Sequence, residues 1–273
     1  KLWSREGQLI KTLTGHTQTL NWIGFSPDGK TLVSCSDDGT IKQWGLDGTL
    51  LQTLTGHTSW VDDVAWSPDG QTLLSGSGDR TVKLWQLESD TSTTLKGHKT
   101  FVRSAQYTSD SQMIITGDGF GPLRFWTANG GLIRTVDGHG DDWLGDFTVS
   151  PDGQFIASIS DSGPVAILWN AQGEILHTLE VEDGSKPRVR FSPDGKILLT
   201  ARGGVIHLWN LDGELLHTLT SDTESIQDIT FSPDSQILVS TNGDGPLNIW
   251  SVEGELLNSL GNEEEPYYAV TFS

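Results

Sequence analysis

The sequence predicts an all-β fold made of repeated four-stranded units, and three observations carry that expectation. Tryptophan returns at a fixed beat, a proline turn returns between the tryptophans, and glycine fills 32 positions, a balance that suits short strands and turns better than long helices. The tryptophans in question are Trp3, Trp44, Trp85, Trp126, Trp169, Trp209 and Trp250, at successive spacings of 41, 41, 41, 43, 40 and 41 residues. Pro27, Pro68, Pro151, Pro193 and Pro233 keep the same beat, and the segment TSDSQ at 108–112 fills the third slot without a proline.

Each period reads as four strands. In the second, WVDDVAW (60–66) is an inner strand, and SPDG (67–70) is a turn that uses proline's fixed φ and glycine's freedom. TLLSGS (72–77) is the second strand, GDR turns the chain, and TVKLW (81–85) is the third. A partly polar outer strand follows, of the kind seen in ELLHTL (214–219). Four strands per period of about 40 to 45 residues is the unit of a β-propeller blade, in which radial stacking leaves only short, protected edges.

Counting strands sets the ends. The inner-strand pattern occurs seven times, the last as YYAVTF (267–272); the outer-strand pattern also occurs seven times, the first as QLIKTL (8–13). The second-strand pattern occurs six times, and the third has six full copies plus the stub KLW. The expectation is a seven-bladed propeller of four-stranded antiparallel blades, with the seventh blade incomplete and split between the termini. A single domain then covers 1–273, with repeat units at about 8–44, 49–85, 91–126, 131–169, 174–209 and 214–250, and the last at 255–273 plus 1–3. The sequence begins on Lys1, which predicts a piece of a longer parent chain.

Gly-His pairs at 15–16, 56–57, 97–98 and 138–139, each followed by a turn Asp and a strand-end Trp, complete the pattern. Over essentially its whole length the chain resembles the WD-repeat propellers. The segment FSPDGKTL (25–32) is similar to bacterial members, so the resemblance implies bacterial-type repeats. It also implies a hydrogen-bonded tetrad within each blade, which His16, Ser34, Asp38 and Trp44 match, as do His57, Ser75, Asp79 and Trp85. These residues are structural in this reading: a buried imidazole and indole N–H need partners, and an Asp that accepts fixes the turn. A hydrolase triad of His57, Asp79 and Ser75 is disfavoured because the constellation repeats from blade to blade. Later repeats depart from the pattern. Asp118 stands two residues early, Asp161 is displaced, and ARGG in the fifth repeat has no turn Asp, which predicts blades held by packing more than by tetrads.

Composition narrows the function. With 17 Lys and Arg against 36 Asp and Glu, the formal charge of −19 repels phosphate backbones and anionic lipid, so neither nucleic acid nor a membrane is an expected partner. No run approaches the roughly 20 apolar residues of a spanning helix, and KLWSREG is no signal peptide, which predicts a cytoplasmic protein. The one cysteine, Cys35, sits inside a strand pattern and reads as a small buried residue. GDGFG and NGDGP lack the spacing of calcium loops, the histidines form no cluster, and no phosphate loop or nucleophile elbow is present. No metal, cofactor or catalytic group is therefore expected.

The resemblance implies a platform that holds proteins or peptides on the face carrying the outer-to-inner connections. The side chains expected there are Trp60, Asp62, Phe101, Arg103, Trp143, Lys186, Arg188, Tyr267 and Tyr268. Trp60 and Trp143 precede inner strands at places where other repeats carry Thr19, Thr100 or Ser225, as interface anchors would. The alternative for each ring is to lie flat over its own blade. The acidic runs at 140–142, 180–183 and 262–266 would steer basic partners, or serve solubility alone. Other expectations are a structural or sensor module fused within a larger bacterial signalling protein, and a small-ligand or enzymatic propeller using its central channel.

Overall fold

In the computed structural model, the described residues are 2–3, 9–89, 91–140, 142–182, 184–185, 187–221, 225–242, 246–260 and 270. Every regular element among them is a strand, and no helix of the described residues is long and apolar enough to cross a membrane. Six four-stranded antiparallel sheets follow one another along the chain, each in the order in which its strands occur in sequence. A two-stranded pair, β1 (Leu2–Trp3) and β2 (Leu9–Lys11), precedes them.

Sheet one is β3 (Leu20–Phe25), β4 (Thr31–Ser36), β5 (Ile41–Gly45) and β6 (Leu50–Leu54). Sheet two is β7 (Val61–Trp66), β8 (Thr72–Ser77), β9 (Val82–Gln86) and β10 (Thr91–Leu95), and sheet three is β11 (Val102–Tyr107), β12 (Met113–Asp118), β13 (Leu123–Thr127) and β14 (Leu132–Val136). The fourth comprises β15 (Leu144–Val149), β16 (Phe155–Ser160), β17 (Val165–Asn170) and β18 (Ile175–Glu180). The fifth comprises β19 (Arg188–Phe191), β20 (Leu198–Arg202), β21 (Val205–Trp209) and β22 (Leu215–Thr220). The sixth is β23 (Asp228–Phe231), β24 (Ile237–Thr241), β25 (Leu247–Ser251) and β26 (Leu256–Leu260).

The proline turn explains why the first two strands of each sheet find one register. Ser26 Oγ donates to Asp28 Oδ1 at 2.7 Å and accepts from the N–H of Thr31 at 3.0 Å, while Asp28 Oδ1 also accepts from the N–H of Lys30. The same closed set is built on Ser67 and Asp69, and on Thr108 and Asp110 in the repeat that lacks the proline. Where the turn glycine is replaced, Ser111 and Ser235 adopt φ of 58° and 60°, so hydroxyl and carboxylate bonding dictates the left-handed residue even without glycine.

The chain divides into two compact units, one of residues 1–119 and 123–135, the other of 120–122 and 136–273. In the first, Val33, Cys35 and Ile41 of sheet one pack on Val61, Val64 and Leu73 of sheet two, and Leu74, Val82 and Leu84 pack on Val102, Ala105 and Ile114 of sheet three. In the second, Ala157, Ile159 and Leu168 meet Val189 and Leu198, and Leu199, Ile206 and Leu208 meet Ile229 and Leu238. Within each unit these cores are built between sheets: each neighbouring pair buries its facing sides against one another, as stacked repeats must. Cys35 is fully buried, and burial raises its thiol pKa well above the ordinary range.

A second device joins neighbouring sheets. The inner strand carries a bulge at its start, visible as register shifts at Val61/Asp63 and Leu144/Asp146. The bulge aims an aspartate sideways. Asp63 Oδ2 accepts from Ser104 Oγ at 3.0 Å and from the N–H of Ala105 at 3.1 Å on the next sheet. Asp146 takes the N–H of Val189 and the guanidinium of Arg190, and Asp228 takes the N–H of Val270 at 3.0 Å. Burial raises Asp63 to a pKa of about 6 against these donors, so the carboxylate is ionised at neutral pH. Replacing Asp63 by Ala strands a buried N–H, and is expected to cost about 1–3 kcal/mol in urea unfolding at pH 7. Asp62→Ala, on the same strand and partly buried like Asp63, should cost less because Asp63 and not Asp62 takes the N–H of Ala105; equal effects would refute the cross-sheet role.

Candidate interaction surface

In the first three sheets the loop that enters the inner strand lies beside the turn between the second and third strands, and a buried polar chain ties the two together. In sheet one the indole N–H of Trp44 donates to Ser34 Oγ at 2.8 Å, Ser34 donates to His16 Nε2 at 2.9 Å, and His16 Nδ1–H donates to Asp38 Oδ2 at 2.9 Å. Asp38 also accepts the N–H of Thr17, so the loop is held at backbone level. Sheet two repeats this with Trp85, Ser75, His57 and Asp79 at 2.8, 2.7 and 2.8 Å. Burial opposes the charge on Asp79, but the Thr81 hydroxyl, His57 and the N–H of Thr58 outweigh it and bring its pKa to about 2. Burial lowers the pKa of His57 despite its aspartate. In both sheets each of these four side chains is hydrogen-bonded to another of the set.

The third sheet departs from expectation. Asp118, two residues early in sequence, still reaches His98 Nδ1 at 3.1 Å and the N–H of Lys99 at 3.3 Å, because it ends β12 and points its carboxylate back into the same site. Arg124 Nη1 donates to Asp118 at 2.7 Å where sheets one and two carry Lys42 and Lys83. The set is complete with Thr116 and Trp126, so this blade is tied like the first two. In the fourth sheet, Trp169, Ser158 and His139 form their bonds at 2.8 Å each, but His139 Nδ1 has no partner. Among the described residues, sheets five and six keep the indole bond alone, Trp209 to Thr200 and Trp250 to Ser240.

In the fifth sheet an arginine takes over where the turn aspartate is missing. Arg202, at the end of β20 and 4% exposed, donates to the carbonyls of Gly184, Ser160, Asp161 and Gly163. It thereby holds the β16–β17 turn of the preceding sheet and the loop of its own. Nothing in the repeat pattern marks Arg202, because the residue stands at the position of Ser36 and Ser77.

The aromatic candidates stand on these tied loops. The strand starts at Val61, Val102 and Leu144 make Phe101, rather than Thr100, the counterpart of Trp60 and Trp143. Trp60 is 43% exposed and its indole lies over Gly78 of its own turn, where a Cβ would fall 2.4 Å from the ring. Phe101 covers Gly119 in the same manner. Trp143 is 44% exposed and meets Phe120 edge to face, with centroids 5.9 Å apart at 79°. Asp62 and Arg103 face one another electrostatically: burial raises the aspartate's pKa and Arg103 opposes it. Arg188 donates to the carbonyls of Pro187 and Gln227. Lys186, Tyr267 and Tyr268 lie outside the described residues. Among the described residues no group of three or more His, Cys, Asp or Glu could hold a metal ion.

His139 gives this surface a pH dependence. Burial lowers its pKa to about 4, and the charges of Asp142 and Asp137 only partly offset that. The folded state therefore resists the proton that the unfolded chain accepts near 6.5, so His139's contribution is present above that value and lost as pH falls towards 4. The loss is of order 3 kcal/mol. His139→Gln should flatten the fall in unfolding free energy between pH 6.5 and 4 relative to the parent chain; an unchanged slope would show that His139 is not its source.

The family comparison accords with this geometry. The family model described as "IFT122 first beta-propeller" matches residues 41–273, and that described as "WD domain, G-beta repeat" matches residues 7–45. The nuclear distribution protein nudF of Aspergillus terreus is 52% identical over 42 residues, 15% of this chain and 9% of that protein. The nuclear distribution protein PAC1 of Tuber melanosporum is 50% identical over 42 residues, again 15% and 9%. The matched stretch is thus about one repeat, a tenth or less of these relatives' length. These relatives are fungal, which corrects the expectation of bacterial-type repeats: the FSPDG turn is fixed by its Ser–Asp bonding and carries no mark of origin. The chain is a WD-repeat β-propeller sequence and belongs to the IFT122 first beta-propeller family.

Proposed function

We propose that the chain is a protein- or peptide-interaction scaffold that binds through the end of its sheets where the outer-to-inner loops emerge. One observation carries this reading: Trp60, Phe101 and Trp143 recur at one position of successive repeats, on loops fixed by buried hydrogen bonds, and the two indoles remain nearly half exposed. Large aromatic rings on a rigid frame lose little conformational entropy when a partner covers them. Asp62, Arg103 and Arg188 lie at the neighbouring inner-strand starts, and the reading extends to Lys186, Tyr267 and Tyr268 at the corresponding places in sequence. Binding rather than catalysis is favoured because the imidazole, hydroxyl and carboxylate sets are committed to structure. The likeness to nuclear distribution proteins is confined to one repeat; a cytoplasmic setting is part of the same proposal.

The same reading takes residues 1–273 as one domain with a seventh blade split between the termini. Two features support it. Leu20 and Ile23 are 54% and 53% exposed, whereas their counterparts Val61 and Val64 are buried against a preceding sheet. Val270 bonds Asp228 as Ala105 bonds Asp63, in the manner of an inner strand of one more blade.

The scaffold reading is tested by retention of proteins from a lysate of the source organism on immobilised parent chain and on Trp60→Ala/Trp143→Ala, after circular dichroism shows both folded. A partner kept by the parent chain and lost by the double variant is the expected result; identical retention by both would refute the assignment of the face.

A further inference from the structure

The fourth repeat differs from its neighbours in a way that specifies a ligand. Phe120, at the tip of the β12–β13 turn, is 49% exposed and pairs edge to face with Trp143. Gly121 makes the pairing possible: its φ is +95°, and a Cβ there would stand 2.8 Å from the carbonyl oxygen of Asp142, so only glycine lets the turn come this close. An edge-to-face pair, unlike a stack, leaves ring faces that the partner ring does not cover.

Along the sequence, the charge around this pair has one sign. Every charged residue from Thr135 to Ser185 is an aspartate or glutamate. Asp142 adjoins Trp143, and its carboxylate is held by the Ser162 hydroxyl at 3.0 Å; Asp137 is held by the N–H of Gly140 at 3.0 Å. Of the cations of this unit that could oppose this field, His139 is kept neutral by burial, the Arg202 guanidinium is buried against four carbonyls, Arg190 is paired with Asp146, and Arg188 donates to the carbonyls of Pro187 and Gln227. Two half-exposed rings beside a fixed carboxylate attract a cation that can lie on an aromatic face, and repel an anion.

We propose that Phe120, Trp143 and Asp142 form a seat for an arginine or lysine side chain of a basic partner segment. This rests on the scaffold reading and names the chemistry of its partner. The flat guanidinium suits the seat better than an ammonium because it can cover a ring face while donating to Asp142.

The test is fluorescence anisotropy of the full chain with a labelled arginine–glycine–serine peptide, a copy with citrulline in place of arginine, and a copy with lysine. The expected result is binding of the arginine peptide and weaker binding of the lysine peptide. Citrulline, a neutral isostere, should bind at least about tenfold more weakly than arginine. Phe120→Leu and Trp143→Leu keep the apolar volume and the net charge, and each should weaken the arginine peptide about fivefold or more. Asp142→Asn should weaken it and flatten its salt dependence. If both leucine variants, shown folded by circular dichroism, bind as the parent chain does, the attraction is only the bulk negative field and the seat is overturned. Equal binding of the citrulline peptide, or no binding of the arginine peptide at low salt, overturns it too. None of these outcomes bears on retention of lysate proteins through Trp60, so the scaffold reading stands or falls separately.

Discussion

The bond from the strand-end indole to a hydroxyl on the neighbouring strand is the constraint on which the rest of the structure depends. It is present in all six sheets, from Trp44 and Ser34 at 2.8 Å to Trp250 and Ser240 at 3.0 Å, including those with no histidine or aspartate to support it. A buried indole N–H without a partner costs as much as a lost hydrogen bond, so the third strand must sit where its tryptophan meets that hydroxyl. The large indole then covers the junction with the preceding sheet: Trp85 and Trp126 in the first unit, Trp209 and Trp250 in the second, each belong to a core built from two sheets. Register within a sheet and packing between sheets are thus set by one side chain.

The histidine and aspartate add a different kind of order. They tie the loop that enters each sheet to that sheet's own second strand and turn, through the N–H of Thr17, Thr58 and Lys99. Their gradual loss along the chain is therefore a change in how firmly the surface is held, while the core persists. The bulge aspartates work at the same joints: Asp63 and Asp146 accept from the next sheet's inner strand and Asp228 from the N–H of Val270, where a plain hydrophobic residue would leave an amide unpaired.

The strand order, the turns and both complete tetrads were legible in the sequence because each rests on a local and repeated pattern: a period, an Asx-type turn, or a tryptophan at a strand end. What escaped was produced by neighbours. Asp118 is out of register with Asp38 and Asp79, yet β12 ends on it where β4 and β8 end on Ser36 and Ser77, and from that last strand position its carboxylate returns to His98; spacing alone cannot show that. Arg202 occupies a slot that holds serine in the first, second and fourth repeats, and its four carbonyl partners belong to segments about 20 and 40 residues away. Phe120 carried no signal as a site residue, because its partner Trp143 enters from the next repeat. Origin was misread for the opposite reason, since the FSPDG turn is dictated by hydrogen bonding that any lineage can use.

Stability and recognition are divided along the chain accordingly. The first three sheets saturate their histidines, and their aromatic loop residues Trp60 and Phe101 lie over glycines of their own turns, where ring area is spent partly on the blade itself. In the fourth, the aspartate that would complete the set is absent from His139, Asp142 is held instead by Ser162, and Trp143 turns to an aromatic partner. The loop keeps its position because Arg202 ties the adjacent turn from outside the sheet, so loss of the tetrad carboxylate does not leave the turn without support. A repeat scaffold can relax one internal tie when an adjacent repeat supplies another, and the surface released by that exchange is where differences between otherwise similar blades can become specificity.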